Sequence, residues 1–150
     1  MSIKIRLAVT RDDSAVAYCV CQAFIHYIPR IGKQPGPMLD DYQSLIEQSV
    51  VYVACQQEEI VGVLVLLETD EGFRIETIAV LPSAQGIGIG GKLLAFAEAV
   101  ALNLGYISIY LSTHRMMYES QAIYAHFGYV EFDQRVINGY DRLFIRKKLL

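Results

Sequence analysis

Val80-Leu81-Pro82-Ser83-Ala84-Gln85-Gly86-Ile87-Gly88-Ile89-Gly90-Gly91-Lys92 carries the chain from an apolar strand into an apolar-faced helix. Pro82 stops the strand, and the glycines allow a tight turn before the helix begins. A helix start presents unpaired backbone N–H groups and the positive end of the helix dipole. Glycines let an anion approach that backbone without meeting a Cβ. The stretch therefore predicts a phosphate-binding turn at a helix N-terminus.

Working outward, the elements alternate between strand and helix periodicity. Towards the N-terminus, Arg74 to Val80, Ile60 to Leu67 and Val50 to Cys55 read as three strands in an antiparallel meander, with turns at Asp70-Glu71-Gly72 and Gln57-Glu58-Glu59. Ahead of them, Ile3 to Ala8 alternates as a strand. Thr10 and Asp13 read as a helix start, and Val16, Val20, Ala23 and Phe24 recur at helical spacing over Asp12 to His26. Pro29, Gly32, Pro35, Gly36 and Pro37 predict a loop, followed by a short helix over Asp40 to Gln48. Towards the C-terminus, Leu93, Leu94, Ala97, Val100, Ala101 and Leu104 predict one buried helix face, closed by Gly105. Ile107 to Leu111 is a strand, Glu119 to Phe127 a short helix ending at Gly128, and Val130 to Val136 with Arg142 to Lys147 a closing pair around Asn138-Gly139. No repeat or linker divides the 150 residues, so a single domain over 1–150 is expected.

Three glycine motifs overlap in the decisive stretch. Gly86, Gly88 and Gly91 fit the dinucleotide fingerprint, but Tyr110, Leu111, Ser112 and Thr113 stand where an acidic ribose ligand is needed. Gly86 to Lys92 fits most of a Walker A loop, but Leu93 follows the lysine and has no hydroxyl for magnesium. The third motif, Q/R-x-x-G-x-G/A, is met by Gln85, Gly88 and Gly90. With Glu119-Ser120-Gln121-Ala122-Ile123-Tyr124-Ala125-His126-Phe127-Gly128-Tyr129 further on, the chain resembles the GNAT superfamily of N-acetyltransferases over nearly its whole length.

The resemblance implies an α/β (α+β) GNAT fold: a mixed, mostly antiparallel sheet of about seven strands, splayed between strands 4 and 5, with about four helices. It implies a transferase that binds acetyl-coenzyme A through Gln85, Gly86, Ile87, Gly88, Ile89, Gly90, Gly91 and Lys92. Backbone amides of Ile78, Ala79 and Val80 would take the pantetheine arm and the thioester oxygen. Tyr124 would protonate the departing thiolate. Ser120, where many relatives have Asn, would contact the cofactor with a shorter reach. The reaction implied is direct attack by an amine, with no acyl-enzyme. Glu76 shares side-chain parity with Ile78 and Val80 and is the first candidate for general base. A solvent-facing strand carboxylate is the other reading of that residue. His114 is a second candidate, or else an exposed loop histidine; His26 and Tyr27 lie beside the Pro/Gly loop that would shape the acceptor site, or else form an ordinary helix terminus.

Composition narrows the partners. The net charge of −3, with no basic run before Arg146-Lys147-Lys148, argues against nucleic acid. No apolar run is long enough for a membrane helix, and Cys19, Cys21 and Cys55 have no metal-ligand spacing, so neither a membrane nor a metal is expected. The alternating N-terminus Ser2-Ile3-Lys4-Ile5-Arg6-Leu7 points to the cytoplasm. Asp40, Asp41 and Glu47 favour an amine acceptor, a small molecule or a peptide, or else form a solvated helix face. Two other readings remain open: an acyl-coenzyme A sensor without turnover, and an interaction module. A homodimer through the closing strands is also open.

Overall fold

The computed structural model describes residues 2–150. Seven strands form one sheet: β1 (Ile3–Leu7), β2 (Val51–Gln56), β3 (Glu59–Thr69), β4 (Gly72–Val80), β5 (Ser108–His114), β6 (Val130–Ile137) and β7 (Tyr140–Lys148). Their order is β1-β2-β3-β4-β5-β7-β6. Only β4 and β5 run parallel; every other neighbouring pair is antiparallel. The helices are α1 (Asp13–Phe24), α2 (Ile28–Ile31), α3 (Tyr42–Glu47), α4 (Ile89–Asn103) and α5 (Tyr118–His126).

The core is centred on β3, where every residue from Ile60 to Leu66 is buried. An unbroken buried run means that both faces of the strand are covered. α1 and α4 do this, each packing on β3 and β4. A Cβ on Gly62 would come within 3.1 Å of Leu93 and 3.3 Å of Ile89, so the missing side chain lets α4 lie close to the sheet. The buried face of α4 is Ile89, Leu93, Leu94, Ala97 and Ala101. Leu104, expected on that face, is the C-cap residue and is 52% exposed.

Two local expectations are corrected. The segment around Pro29 was expected to be a loop, yet Ile28–Ile31 forms one helical turn. Pro29 sits at its start, where no N–H is needed, and Gly32 ends it at φ +87°. At the start of α1 it is Asp12, and not Thr10 with Asp13, that ties down the chain. Its carboxylate accepts the Val9 N–H at 2.8 Å and takes two hydrogen bonds from Arg6 at 2.7 and 3.2 Å. These bonds hold the Asp12 carboxyl below the usual range, the Arg6 hydrogen bonds contributing most.

Candidate active site

The site begins where the sheet opens. β4 and β5 pair only at Arg74↔Tyr110 and Ile75↔Leu111. On the other edge of β4, Val65 pairs with Thr77 and Leu66 with Ile75, so Glu76 is an extra, bulged residue. A bulge bends its strand and sharpens the twist, which accounts for β4 leaving β5 at this point. The Leu81 N–H donates to Val61 O on β3. Amides alternate along a strand, so the Ala79 N–H also faces β3, while those of Ile78 and Val80 face the opening. Of the three amides expected to serve a ligand, the geometry therefore leaves two.

A cleft of about 470 Å³ occupies one side of this opening. It is lined by Ile78, Ala79 and Val80, by Gln85, Gly86, Gly88, Ile89, Gly90 and Gly91, and by Ser120 and Tyr124 of α5. Gly86 and Gly88 have φ of +83° and +89°, and Gly88 is the N-cap of α4. A Cβ on Gly86, Gly88 or Gly90 would meet nothing within 4 Å, so an open, side-chain-free cradle faces the first turn of a 15-residue helix. Such a cradle fits a pyrophosphate. Gln85 Nε2 donates to Val80 O at 3.2 Å and fastens the turn to the strand. The side chains of Ile87 and Lys92 do not line this cleft; both are exposed, Ile87 to 58%. His26 and Tyr27 line this cleft and not the neighbouring one, where they were expected.

A second cleft of about 380 Å³ lies beyond β4, under the loop around Pro35–Pro37. Phe24, Ile78, Ser120 and Tyr124 line both, so the two clefts meet there. Tyr124 is held by the end of its own helix. Gly128 has φ +95°, the Tyr129 N–H donates to Tyr124 O at 3.0 Å and the Gly128 N–H to Ala125 O at 3.1 Å. This pattern is a Schellman cap, which glycine permits without Cβ strain. The Tyr124 ring also lies 6.1 Å from that of Tyr129, edge-on. Among the described residues its phenol has no hydrogen-bond partner, and burial pushes its pKa well above the ordinary value. Ser120, one turn earlier, has its Oγ 3.5 Å from Tyr27 Oη.

Charges gather in the second cleft. Glu76 is 3.2 Å from Arg74 Nε, and Arg74 Nη2 donates to Ser112 Oγ at 3.1 Å. Asp40 lines the cleft, whereas Asp41 caps α3 through Ser44 N–H and Glu47 is exposed. Burial, and then the charge of Glu76, push the Asp40 carboxyl up. His114 also lines the cleft, but its Nδ1 accepts the Met116 N–H at 3.0 Å. A neutral imidazole with Nδ1 as acceptor carries its proton on Nε2. Burial lowers its pKa and keeps it neutral. Its free nitrogen is thus a donor in this geometry and does not accept a proton there.

Comparison with known families gives the chain its place. The model of the acetyltransferase (GNAT) domain matches residues 47–131, more than half of the chain. The chain belongs to the GNAT family. Among solved structures, the fold is shared with PaiA N-acetyltransferase from Thermoplasma acidophilum in complex with coenzyme A (18% identity, 99% of each chain, TM-score 0.80). It is shared with a GCN5-related N-acetyltransferase from Rhodopseudomonas palustris (18% identity, 99% of this chain and 97% of that one, TM-score 0.83). A third is IAA acetyltransferase from Bacillus cereus ATCC 14579 (24% identity, 99% and 100%, TM-score 0.74). No curated protein sequence matches. The seven-stranded mixed sheet that opens between β4 and β5 is the GNAT fold, as expected from the sequence. Sequence reasoning did not single out Arg74 or Arg142, which line the second cleft. Both lie in alternating strand segments, where an arginine reads as solvent-facing and no local signal marks it otherwise.

Proposed function

We propose that this GNAT domain transfers the acetyl group of acetyl-coenzyme A to a primary amine by direct attack, with both substrates bound. The observation that carries the reading is the meeting of the two clefts at Tyr124, Ser120, Ile78 and Phe24. One cleft suits a pyrophosphate and an extended pantetheine arm, the other a small amine, and their junction is where acyl donor and acceptor would touch. The coenzyme A bound to the Thermoplasma relative supports the first assignment. The reaction needs no metal ligands, and the cytoplasmic setting expected from the N-terminal sequence suits the cofactor.

The residues divide the work as follows. N–H groups at the start of α4 hold the phosphates, and the amides of Ile78 or Val80 stabilise the oxyanion that forms as the amine attacks. Glu76, fixed by Arg74, takes the ammonium proton directly or through a water. As the carbon–sulfur bond breaks, Tyr124 donates a hydrogen bond to the thiolate. Its pKa stands above that of a thiol, near 8.5, so complete proton transfer from Tyr124 is uphill. Tyr124 therefore stabilises the leaving group as a donor, and the thiol's proton comes in the end from the amine.

The test is release of free thiol from acetyl-coenzyme A across a panel of amines, for the wild type and Tyr124→Phe. Amine-dependent thiol release that falls in the variant supports transfer. Tight acetyl-coenzyme A binding without thiol release from any amine would leave a binding protein instead.

A further inference from the structure

We propose that the acceptor is an amine carrying a carboxylate close to its amino group, an amino acid or short amino-acid-like compound, and that Arg142 is the residue that binds the carboxylate. This rests on the acetyltransferase reading above and names the substrate class of that same site.

Arg142 projects from β7, opposite His114 of β5, and lines the second cleft. Among the described residues its guanidinium has no ion pair and no hydrogen bond; it lies by the Tyr140 ring, 5.3 Å from Cζ. Other arginines are engaged: Arg74 with Glu76 and Ser112, Arg30 with Glu119, Arg115 with Asp141, Arg135 with Glu71 and Asp133. The fold makes room for this guanidinium. A Cβ on Gly36 would lie 2.8 Å from an Nη of Arg142, so the absence of a side chain at Gly36 seats the guanidinium against the loop.

An arginine fork that is half-buried in a confined cleft and unpaired matches the geometry of a carboxylate, which accepts two parallel N–H bonds. The same cleft carries Asp40 and Glu76; Asp40 feels the charge of Glu76 and, against it, those of Arg142 and Arg74, although none of its contacts with them is an ion pair. One ligand end should therefore be cationic and the other anionic. Arg74 is already neutralised by Glu76, leaving one free positive group, which suits the single charge of a carboxylate better than a phosphate. A simple amine would leave Arg142 unpaired, and a polyamine would be repelled by it. At about 380 Å³ the cleft is large enough for a free amino acid.

The experiment compares amino acids, their carboxamides and the matching amines without the carboxylate, by thiol release and by calorimetric binding to the coenzyme A-bound protein. Wild type, Arg142→Gln and Arg142→Lys are used. The expected result is a preference of about tenfold or more for the amino acid over its amide, expressed in KM more than kcat. Arg142→Gln should abolish that preference, and Arg142→Lys should restore part of it. Arg142→Gln should bind acetyl-coenzyme A as the wild type does, because Arg142 does not line the cofactor cleft, and should melt close to the wild type, because among the described residues the side chain has no ion pair or hydrogen bond to lose. Amides or simple amines used as well as amino acids would overturn the inference, as would a preference that survives in Arg142→Gln. Acetyl-coenzyme A binding with no carboxylate-bearing amine bound or acetylated would overturn it alone. Failure to bind acetyl-coenzyme A at all would overturn the acetyltransferase reading, and this inference with it.

Discussion

Gly88 and Gly90 separate two reasons for a glycine in the same turn. Neither would place a new Cβ against any atom within 4 Å. They differ in backbone conformation: Gly88 is left-handed at φ +89°, whereas Gly90 lies within the right-handed first turn of α4. Gly88→Ala forces a side chain into the left-handed region at a cost of about 1–2 kcal/mol. For a chain of this size that is a fall in Tm of roughly 2–8 °C. Gly90→Ala removes a helical glycine and should be neutral or gain up to about 1 kcal/mol. Binding should divide the same way. The turn at Gly88 aims the first N–H groups of α4 into the cleft, so relaxing it should weaken acetyl-coenzyme A at least tenfold. Gly90→Ala keeps those N–H groups, and the motif accepts alanine there, so affinity should change less than about threefold. Thermal melts with and without acetyl-coenzyme A, beside calorimetry, read both quantities, since ligand at about 100 times Kd adds about 2.7 kcal/mol. Wild-type affinity in a Gly88→Ala protein that has lost the expected stability would refute the assignment of this turn to the cofactor.

Four further outcomes follow from the geometry. Tyr124→Phe should lower kcat by about 10²-fold or more with stability changed by less than about 0.5 kcal/mol, because the phenol has no protein partner to lose. Because burial raises the pKa of Tyr124, the wild-type rate should rise with pH through the amine's pKa and show no falling limb from this phenol below about pH 10, as a pH–rate profile would record. Asp12→Asn should cost about 1.5–3 kcal/mol at neutral pH in urea melts. The folded-state pKa of Asp12 is depressed, so its contribution is present above the unfolded value near 3.9 and is lost as pH falls through the folded one; the deficit of the variant should close over that acid range. Gly128→Ala and Gly105→Ala each place a side chain at φ above +90°, +95° and +91°, and should lose similar stability, about 1–2 kcal/mol. Only Gly128→Ala, which ends the helix of Tyr124, should also lower thiol release.

The strands, the helix faces and the cofactor turn were legible because each is written in neighbouring residues. Period-two alternation marks Arg74 to Val80, and the glycines Gly86 and Gly88, followed by Gly90 in the helix, mark a backbone that turns left-handed just before a helix start. The short turn Ile28–Ile31 was not legible, because Pro29 reads as a breaker unless its position at a helix start is known. Neither was the bulge at Glu76, since a bulge belongs to a pairing of two strands and β4 alone retains its alternation. That His26 and Tyr27 line the cleft of the glycine turn was not legible for a similar reason: where a helix end points depends on the elements packed around it.

The two halves of the site differ in legibility because they use different chemistry. A pyrophosphate is held by main-chain N–H groups, and a main chain able to do this needs particular φ values at consecutive positions, which leaves a glycine pattern in one segment. The cleft proposed for the acceptor is lined by the loop at Gly36 and Asp40, and by side chains of β4 at Arg74 and Glu76, of β5 at His114 and of β7 at Arg142. Each alone is an ordinary polar residue on a strand or loop, and the meaning lies in their convergence. The same division explains how a family can keep its cofactor while changing its acceptor. Residues such as Arg142 and Gly36 can be replaced without touching the backbone of the Gly86–Gly90 turn, so donor binding and acceptor choice vary independently. Tyr124 and Ile78, which line both clefts, are not free in that way, because any change there alters donor and acceptor together.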